Sequence, residues 1–139
     1  MNTETTHQKS VKQEITNALK AYESSLNTSD ANAALALYSS DPIFMAEYAD
    51  AFIGRDAVRQ GYEFVFRTLK LNVRFTIHEI VEMGGDLAYA RTTSAGKQEM
   101  LASHKMSDEA NNELFIFRKE GGLWKIHRYL FASSKPPGA

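Results

Sequence analysis

An α+β fold is predicted by three features of this chain. Apolar residues recur at helical steps as far as Leu69. Beyond Leu69 they alternate at strand spacing, and two glycine turns cut the alternating half into hairpins. Helices first and strands afterwards imply helices covering one face of a strongly curved, mostly antiparallel sheet. A wedge-shaped cavity forms between such layers.

The elements follow in order. Residues 1 to 9 are polar and aperiodic and read as a flexible N-terminal arm. Val11, Ile15, Ala18, Leu19, Tyr22 and Leu26 form the apolar stripe of a first helix. Asn27-Thr28-Ser29-Asp30 ends it, and Asp30 can cap a short second helix from Ala31 to Tyr38. Ser39-Ser40-Asp41-Pro42 stops that helix, because proline disfavours a helical residue before it. Ile43 to Tyr48 reads as a strand and Ala49-Asp50-Ala51 as a loop. A third helix starts at Gly54-Arg55-Asp56 and runs to Leu69, with Val58, Tyr62, Val65 and Phe66 on one side.

Val73, Phe75 and Ile77 then alternate with polar residues, and Gly84-Gly85-Asp86 turns the chain into a strand from Leu87 to Ala95. Lys97 to Asn112 is polar with scattered methionines and reads as strand ends around a mobile loop. Glu113 to Lys119 is a strand, Glu120-Gly121-Gly122 a turn, and Leu123 to Ser133 the returning strand. The folded domain is expected to span 10–133, with 134–139 as a tail.

The chain has 139 residues, the size of one domain, and a formal net charge of −1. No basic stripe suggests a nucleic-acid partner. Arg55, Arg59, Arg67, Lys70 and Arg74 read as a solvated helix face and strand start. There is no cysteine, which excludes disulfides, thiolate metal sites and a cysteine nucleophile and fits a reducing, cytoplasmic setting. The polar N-terminus argues against a signal peptide, and no run approaches a membrane span. No histidines or carboxylates stand at metal-ligand spacing, so neither a metal nor any other cofactor is expected.

Several segments together carry a resemblance: Ala21-Tyr22…Leu26-Asn27-Thr28-Ser29-Asp30, Ala36-Leu37-Tyr38-Ser39-Ser40-Asp41, Gly54-Arg55-Asp56-Ala57-Val58, Gly85-Asp86-Leu87-Ala88-Tyr89-Ala90-Arg91 and Phe115-Ile116-Phe117 through Trp124-Lys125-Ile126. In this order they resemble the nuclear transport factor 2-like superfamily, in its SnoaL-like and ketosteroid-isomerase-like branch. The resemblance implies a cone-shaped pocket. It places Tyr22 on a tyrosine that donates to the substrate oxygen and Glu113 on a late-strand acid that donates a second hydrogen bond. It places the proton-moving base on Ala46, which cannot transfer a proton.

The candidate catalytic residues are therefore Glu47, Glu113 and His127. Glu47 adjoins the base position, on the face of Ile43 and Met45 by strand spacing. Glu113 precedes two inward phenylalanines, and burial would raise its pKa. His127 shares a face with Tyr129 and Phe131, which the resemblance turns toward the cavity. Tyr22, Met45, Phe52, Tyr62, Phe66, Phe115 and Tyr129 are the expected ligand-binding wall.

Two functions fit these residues. One is a module that holds a small hydrophobic molecule without turnover. The other is a cofactor-free isomerase, cyclase or dehydratase moving protons on a small carbonyl compound. In both a homodimer is expected through the outer sheet face, where strand spacing puts Trp124, Ile126 and Leu130.

Overall fold

Ser10 begins the first helix by accepting the Gln13 N–H on its Oγ at 3.1 Å. The computed structural model describes residues 10–136, so the expected arm at 1–9 and the tail residues 137–139 lie outside the described residues. Helix α1 (Val11–Asn27) buries Ile15, Leu19, Tyr22, Ser25 and Leu26. Asp30 caps helix α2 (Ala31–Ala36) by accepting the Ala33 N–H at 3.0 Å.

Helix α2 ends two residues earlier than its apolar pattern suggested, because Tyr38 already belongs to strand β1 (Tyr38–Met45). Tertiary partners override the local helix-stop signal here. The Ile126 N–H donates to Leu37 O, the Arg55 guanidinium donates to Tyr38 O and Ser39 O, and Glu120 accepts from the Ser40 N–H. Pro42 is tolerated because the pairing of β1 is irregular between Tyr38 and Ile43.

Strand β2 (Phe52–Ile53) pairs with β1 and leads through Gly54, at φ 91°, into helix α3 (Arg55–Thr68). Strands β3 (Leu69–Gly84), β4 (Leu87–Met100), β5 (Lys105–Glu120) and β6 (Leu123–Ser133) complete a six-stranded sheet in the order β2-β1-β6-β5-β4-β3. All neighbours are antiparallel except β1 and β6, which run parallel. Three helices thus pack on a curved, mixed, open sheet, and the core lies between α1 to α3 and its inner face.

Two expectations about the strands are corrected. Residues 97–112 are not strand ends around a mobile loop. Strands β4 and β5 pair without interruption from Leu87↔Arg118 to Met100↔Lys105, closed by a turn over residues 101–104. Polar pairs hold this extension: Lys97 with Asp108, Gln98 Nε2 to Ser107 Oγ at 3.2 Å, and His104 with Glu99 at 2.8 Å. A pair of strands that is polar on both faces carries no hydrophobic alternation to read.

The second correction concerns β6. Phe117 pairs with Ile126 but Ile116 pairs with Arg128, so His127 is an extra residue, a β-bulge. Ile126 and Tyr129 therefore both point inward, fully and almost fully buried, and Trp124 packs against the core. Of the three residues assigned to the outer face, only Leu130 is found exposed, at 41%.

Helix α1 is fixed to β3 by side chains four residues apart. Asn27 donates to Val73 O at 2.9 Å and accepts from the Val73 N–H at 2.8 Å, while Glu23 accepts from the Phe75 N–H at 2.7 Å. This sets Tyr22 against the inner face of the sheet. Among the described residues, no helix is long and apolar enough to cross a membrane.

Candidate functional site

Inward-pointing residues of seven elements meet at one partly enclosed cavity of about 90 Å³. Helix α1 contributes Tyr22 and Leu26, α3 contributes Tyr62 and Val65, and Phe44 of β1 is joined by Ala46 just past its end. The meander supplies Leu71, Val73 and Phe75 from β3, Ser94 from β4, Glu109, Asn111 and Glu113 from β5, and Tyr129 and Phe131 from β6. The strand residues occupy alternate positions, as a single pleated face requires. A larger groove of about 610 Å³ between α1 and β3–β4 is open and polar, and Glu23 and Asn27 in it are already bonded to β3.

The aromatic wall is ordered. Tyr62, Phe44, Tyr129 and Phe115 form a column of nearly parallel rings, with successive centroids 4.9, 5.4 and 4.1 Å apart and planes within 9°. Tyr22 stands edge-on to Tyr62, Tyr129, Phe115 and Phe75. Such edge contacts pair the positive rim of one ring with the negative face of another.

The Tyr62 hydroxyl lies 2.6 Å from the hydroxyls of both Tyr22 and Tyr38. Tyr38 is 2% exposed and, among the described residues, its hydroxyl has only Tyr62 as a partner. A chain donating from Tyr38 to Tyr62 to Tyr22 leaves the last proton on Tyr22, facing the cavity. Either hydroxyl of each pair can be the donor, and this order is the one that sets a proton at the cavity. Burial raises the pKa of all three phenols, so they remain neutral donors.

Opposite this donor stands Glu113, 4% exposed. Its Oε1 accepts from Thr92 Oγ1 at 2.7 Å and its Oε2 from Ser94 Oγ. Burial raises its pKa, and the two hydroxyl bonds counteract that rise. Glu109 lies four residues away on the same strand face. Its pKa is raised by burial and by the charge of Glu113, and its Oε1 accepts weakly from Asn111 Nδ2 at 3.4 Å. Asn111 also donates to Ser94 Oγ at 3.3 Å, which links the two acids through polar side chains.

The SnoaL-like domain pattern matches residues 19–127, which take in the second half of α1, the helices α2 and α3 and most of the sheet. The chain belongs to the SnoaL-like family. This SnoaL-like protein is similar to a ketosteroid isomerase-like protein from Erwinia carotovora atroseptica SCRI1043, at 30% identity over 88% of this chain and 95% of that one, with a TM-score of 0.85. It shares its fold with a nuclear transport factor 2-like superfamily protein from Salmonella enterica serovar Typhimurium LT2, at 17% identity, 93% and 94% coverage and a TM-score of 0.79. A conserved protein from Planctomyces limnophilus DSM 3776 gives 20% identity, 88% and 96% coverage and a TM-score of 0.76. No curated protein matches the chain.

The candidates named from the sequence separate into three groups. Tyr22, Tyr62, Tyr129 and Glu113 line the cavity of this SnoaL-like protein. Phe115, Phe52 and Phe66 stand behind the wall. Phe115 is fully buried under Tyr129, Phe52 packs on Phe44 and Gly61, and Phe66 packs on Tyr62.

Met45, Glu47 and His127 are not at the cavity, and each has a local reason. Phe44 and Ala46 take the inward positions, so Met45 between them faces out, 36% exposed. Strand β1 stops at Met45, and Glu47 enters a turn whose next residue, Tyr48, has φ 63°. Glu47 is therefore not among the residues lining the cavity, where Ala46 takes the inward position after Phe44. His127 sits on the bulge of β6, where its Nδ1 lies 2.9 Å from Ser39 Oγ and its Nε2 3.4 Å from Arg118. Burial and the neighbouring Arg128 and Arg118 lower its pKa, which favours the neutral ring.

Glu109 and Asn111 were missed because they fall in the polar stretch read as a loop. Their signal was present: Glu109, Asn111, Glu113, Phe115 and Phe117 keep one period of two. Phe75 and Phe131 follow the same rule on their own strands.

Proposed function

We propose that this protein holds a compact, largely apolar small molecule in the cavity without turning it over. One observation carries the reading: a partly enclosed space walled by Phe44, Phe75, Phe131 and three tyrosines, with Tyr22 and Glu113 as polar contacts and the methyl group of Ala46 where the family resemblance would put a base. Sites of this kind combine apolar walls with few polar groups that fix orientation. At about 90 Å³ the space suits a single ring or a short branched chain, well below the several hundred Å³ of common ligand pockets.

The test is native mass spectrometry of the purified protein, followed by fragment titration observed in NMR spectra. A bound small molecule, or shifts confined to residues around Tyr22, Tyr129 and Glu113, is the expected result. A cavity that takes no compact ring compound at millimolar concentration refutes it. The protein is further proposed to be a cytoplasmic homodimer, joined through the outer sheet face. The exposed Leu123 and Leu130 on β6, with Val81 and Met83 on β3, favour such a cover. Light scattering that gives a monomer excludes the dimer.

A second reading is favoured by the linked hydroxyls of Tyr38, Tyr62 and Tyr22. A donor fed by two further hydroxyls suits a carbonyl oxygen gaining negative charge, as in proton transfer beside a ketone. Deuterium uptake next to the carbonyl of a small cyclic ketone, lost in Glu113→Gln, supports catalysis. Uptake no faster than in buffer removes it.

A further inference from the structure

The two carboxylates of the cavity have no positive partner. Among the described residues, no lysine, arginine or histidine lines it, and Glu109 and Glu113 are its only ionisable acids. Elsewhere in the same sheet, acids are matched with cations: Asp108 with Lys97, Glu120 with Arg118, and Glu79 with Arg91. Lys97 is next to Gly96, the cross-strand neighbour of Glu109, yet it points to the other face and binds Asp108. Glu113 receives two hydroxyls and Glu109 one amide, which satisfy oxygen lone pairs and bring no charge. A carboxyl group as buried as Glu113 is ordinarily paired with a cation or a metal when charged.

The opposite wall presents the faces and edges of Tyr22, Phe44, Phe75, Tyr129 and Phe131. Aromatic faces attract cations through the ring quadrupole, more strongly where water is excluded. An anionic ligand would meet two carboxylates and no counter-charge. A neutral one would leave both acids as they stand.

We infer that the ligand is a small organic cation, a protonated or alkylated amine whose hydrocarbon part fills the aromatic end and whose charge faces Glu109 and Glu113. This rests on the cavity being a ligand site and names the class of ligand. The volume restricts the class to a compact amine of one ring or one branched chain. Cation–π attraction and the two carboxylates act on the same charge, whereas a neutral analogue of equal shape gains only the burial of its hydrocarbon.

The experiment titrates the intact protein at neutral pH with three five-membered rings of nearly equal size: cyclopentylamine, cyclopentanol and cyclopentanone. Binding is followed by chemical-shift changes at the cavity residues. The amine is expected to bind about tenfold more tightly than the alcohol, a ratio that corresponds to the gain from one close charge interaction. Glu109→Gln, at a half-buried position, is expected to remove that preference, so that the amine binds no more tightly than the alcohol. Ala46→Leu, which fills the cavity, is expected to abolish binding of all three.

Equal or tighter binding of the alcohol or the ketone overturns the cation assignment and leaves the pocket reading intact. Amine binding that survives Ala46→Leu, or an amine preference that survives Glu109→Gln, also overturns it by placing the cation elsewhere. If none of the three rings binds, both readings fall together.

Discussion

Thr92 donates its hydroxyl to Glu113 directly across the β4–β5 pair, Oγ1 to Oε1 at 2.7 Å. A small polar residue on one strand thus answers a buried carboxylate on the next. Thr92→Val keeps the shape and removes the donor. It should cost about 1–3 kcal/mol in urea denaturation, the penalty of leaving a buried acceptor unpaired. The Glu113 pKa should rise further in carbon-detected titration. An unchanged pKa would mean that the hydroxyl bond contributes nothing to the carboxylate.

The two cavity acids also give stability a pH dependence. Burial raises both above their ordinary value of 4.5. Between that value and the raised one, the folded chain holds more protons than the unfolded chain. Their contribution is full below pH 4.5 and is lost as pH rises through the folded values. The double variant Glu109→Gln/Glu113→Gln should flatten this slope in denaturation midpoints measured from weakly acid to neutral pH. His127 acts with the other sign. Its pKa is lowered from 6.5, so its contribution is present above that value and lost as pH falls through the folded one.

The central position of the tyrosine chain makes its members unequal. Tyr62→Phe leaves the hydroxyls of both Tyr22 and Tyr38 without their shared partner, and should cost about 1–3 kcal/mol. Tyr38→Phe removes only the outer end of the chain and should cost about 0.5–1.5 kcal/mol. Equal losses in the two variants would argue that the hydroxyls do not act in sequence.

Glu47→Gln should change neither ligand binding nor stability by more than about 0.5 kcal/mol, because it lies in a turn away from the cavity. Ala46→Asp, one residue earlier, puts a carboxylate into the enclosed space. It should be clearly destabilising and should titrate above the ordinary aspartate range. A strong effect of Glu47→Gln on binding would return Glu47 to the site.

Gly96 is required by contact, not by its dihedral angles. A Cβ there would stand 2.1 Å from Asn72 O and 2.8 Å from Val73 Cα, both backbone atoms. Gly96→Ala must push β3 aside and should cost at least about 1–3 kcal/mol. Since Val73 and Glu109 both pair with Gly96, ligand affinity should fall with stability.

The helices and the two glycine turns could be read from the sequence because apolar spacing and glycine positions act locally. Tyr22, Tyr62 and Glu113 could be placed because each stands on an unbroken period. Two kinds of site residue could not. Glu109 and Asn111 lie where polar residues occupy both strand faces, so no contrast marks the inner one. Trp124, Ile126 and His127 were assigned to the wrong faces because one inserted residue reverses the alternation, and only cross-strand pairing reveals the insertion. Met45 and Glu47 were misplaced in the same way, by one position at the end of β1.

The grip of Asn27 and Glu23 on β3 has a consequence for assembly. Strand β3 is the last in its sheet, and its outward amides at Val73 and Phe75 would otherwise be open to any extended chain. Side chains of α1 imitate a neighbouring strand there and occupy those groups. The sheet is thereby protected along this stretch against uncontrolled growth by strand addition, the usual route from a bare sheet margin to aggregates. Replacing Asn27 would loosen a helix and at the same time uncover a template for self-association.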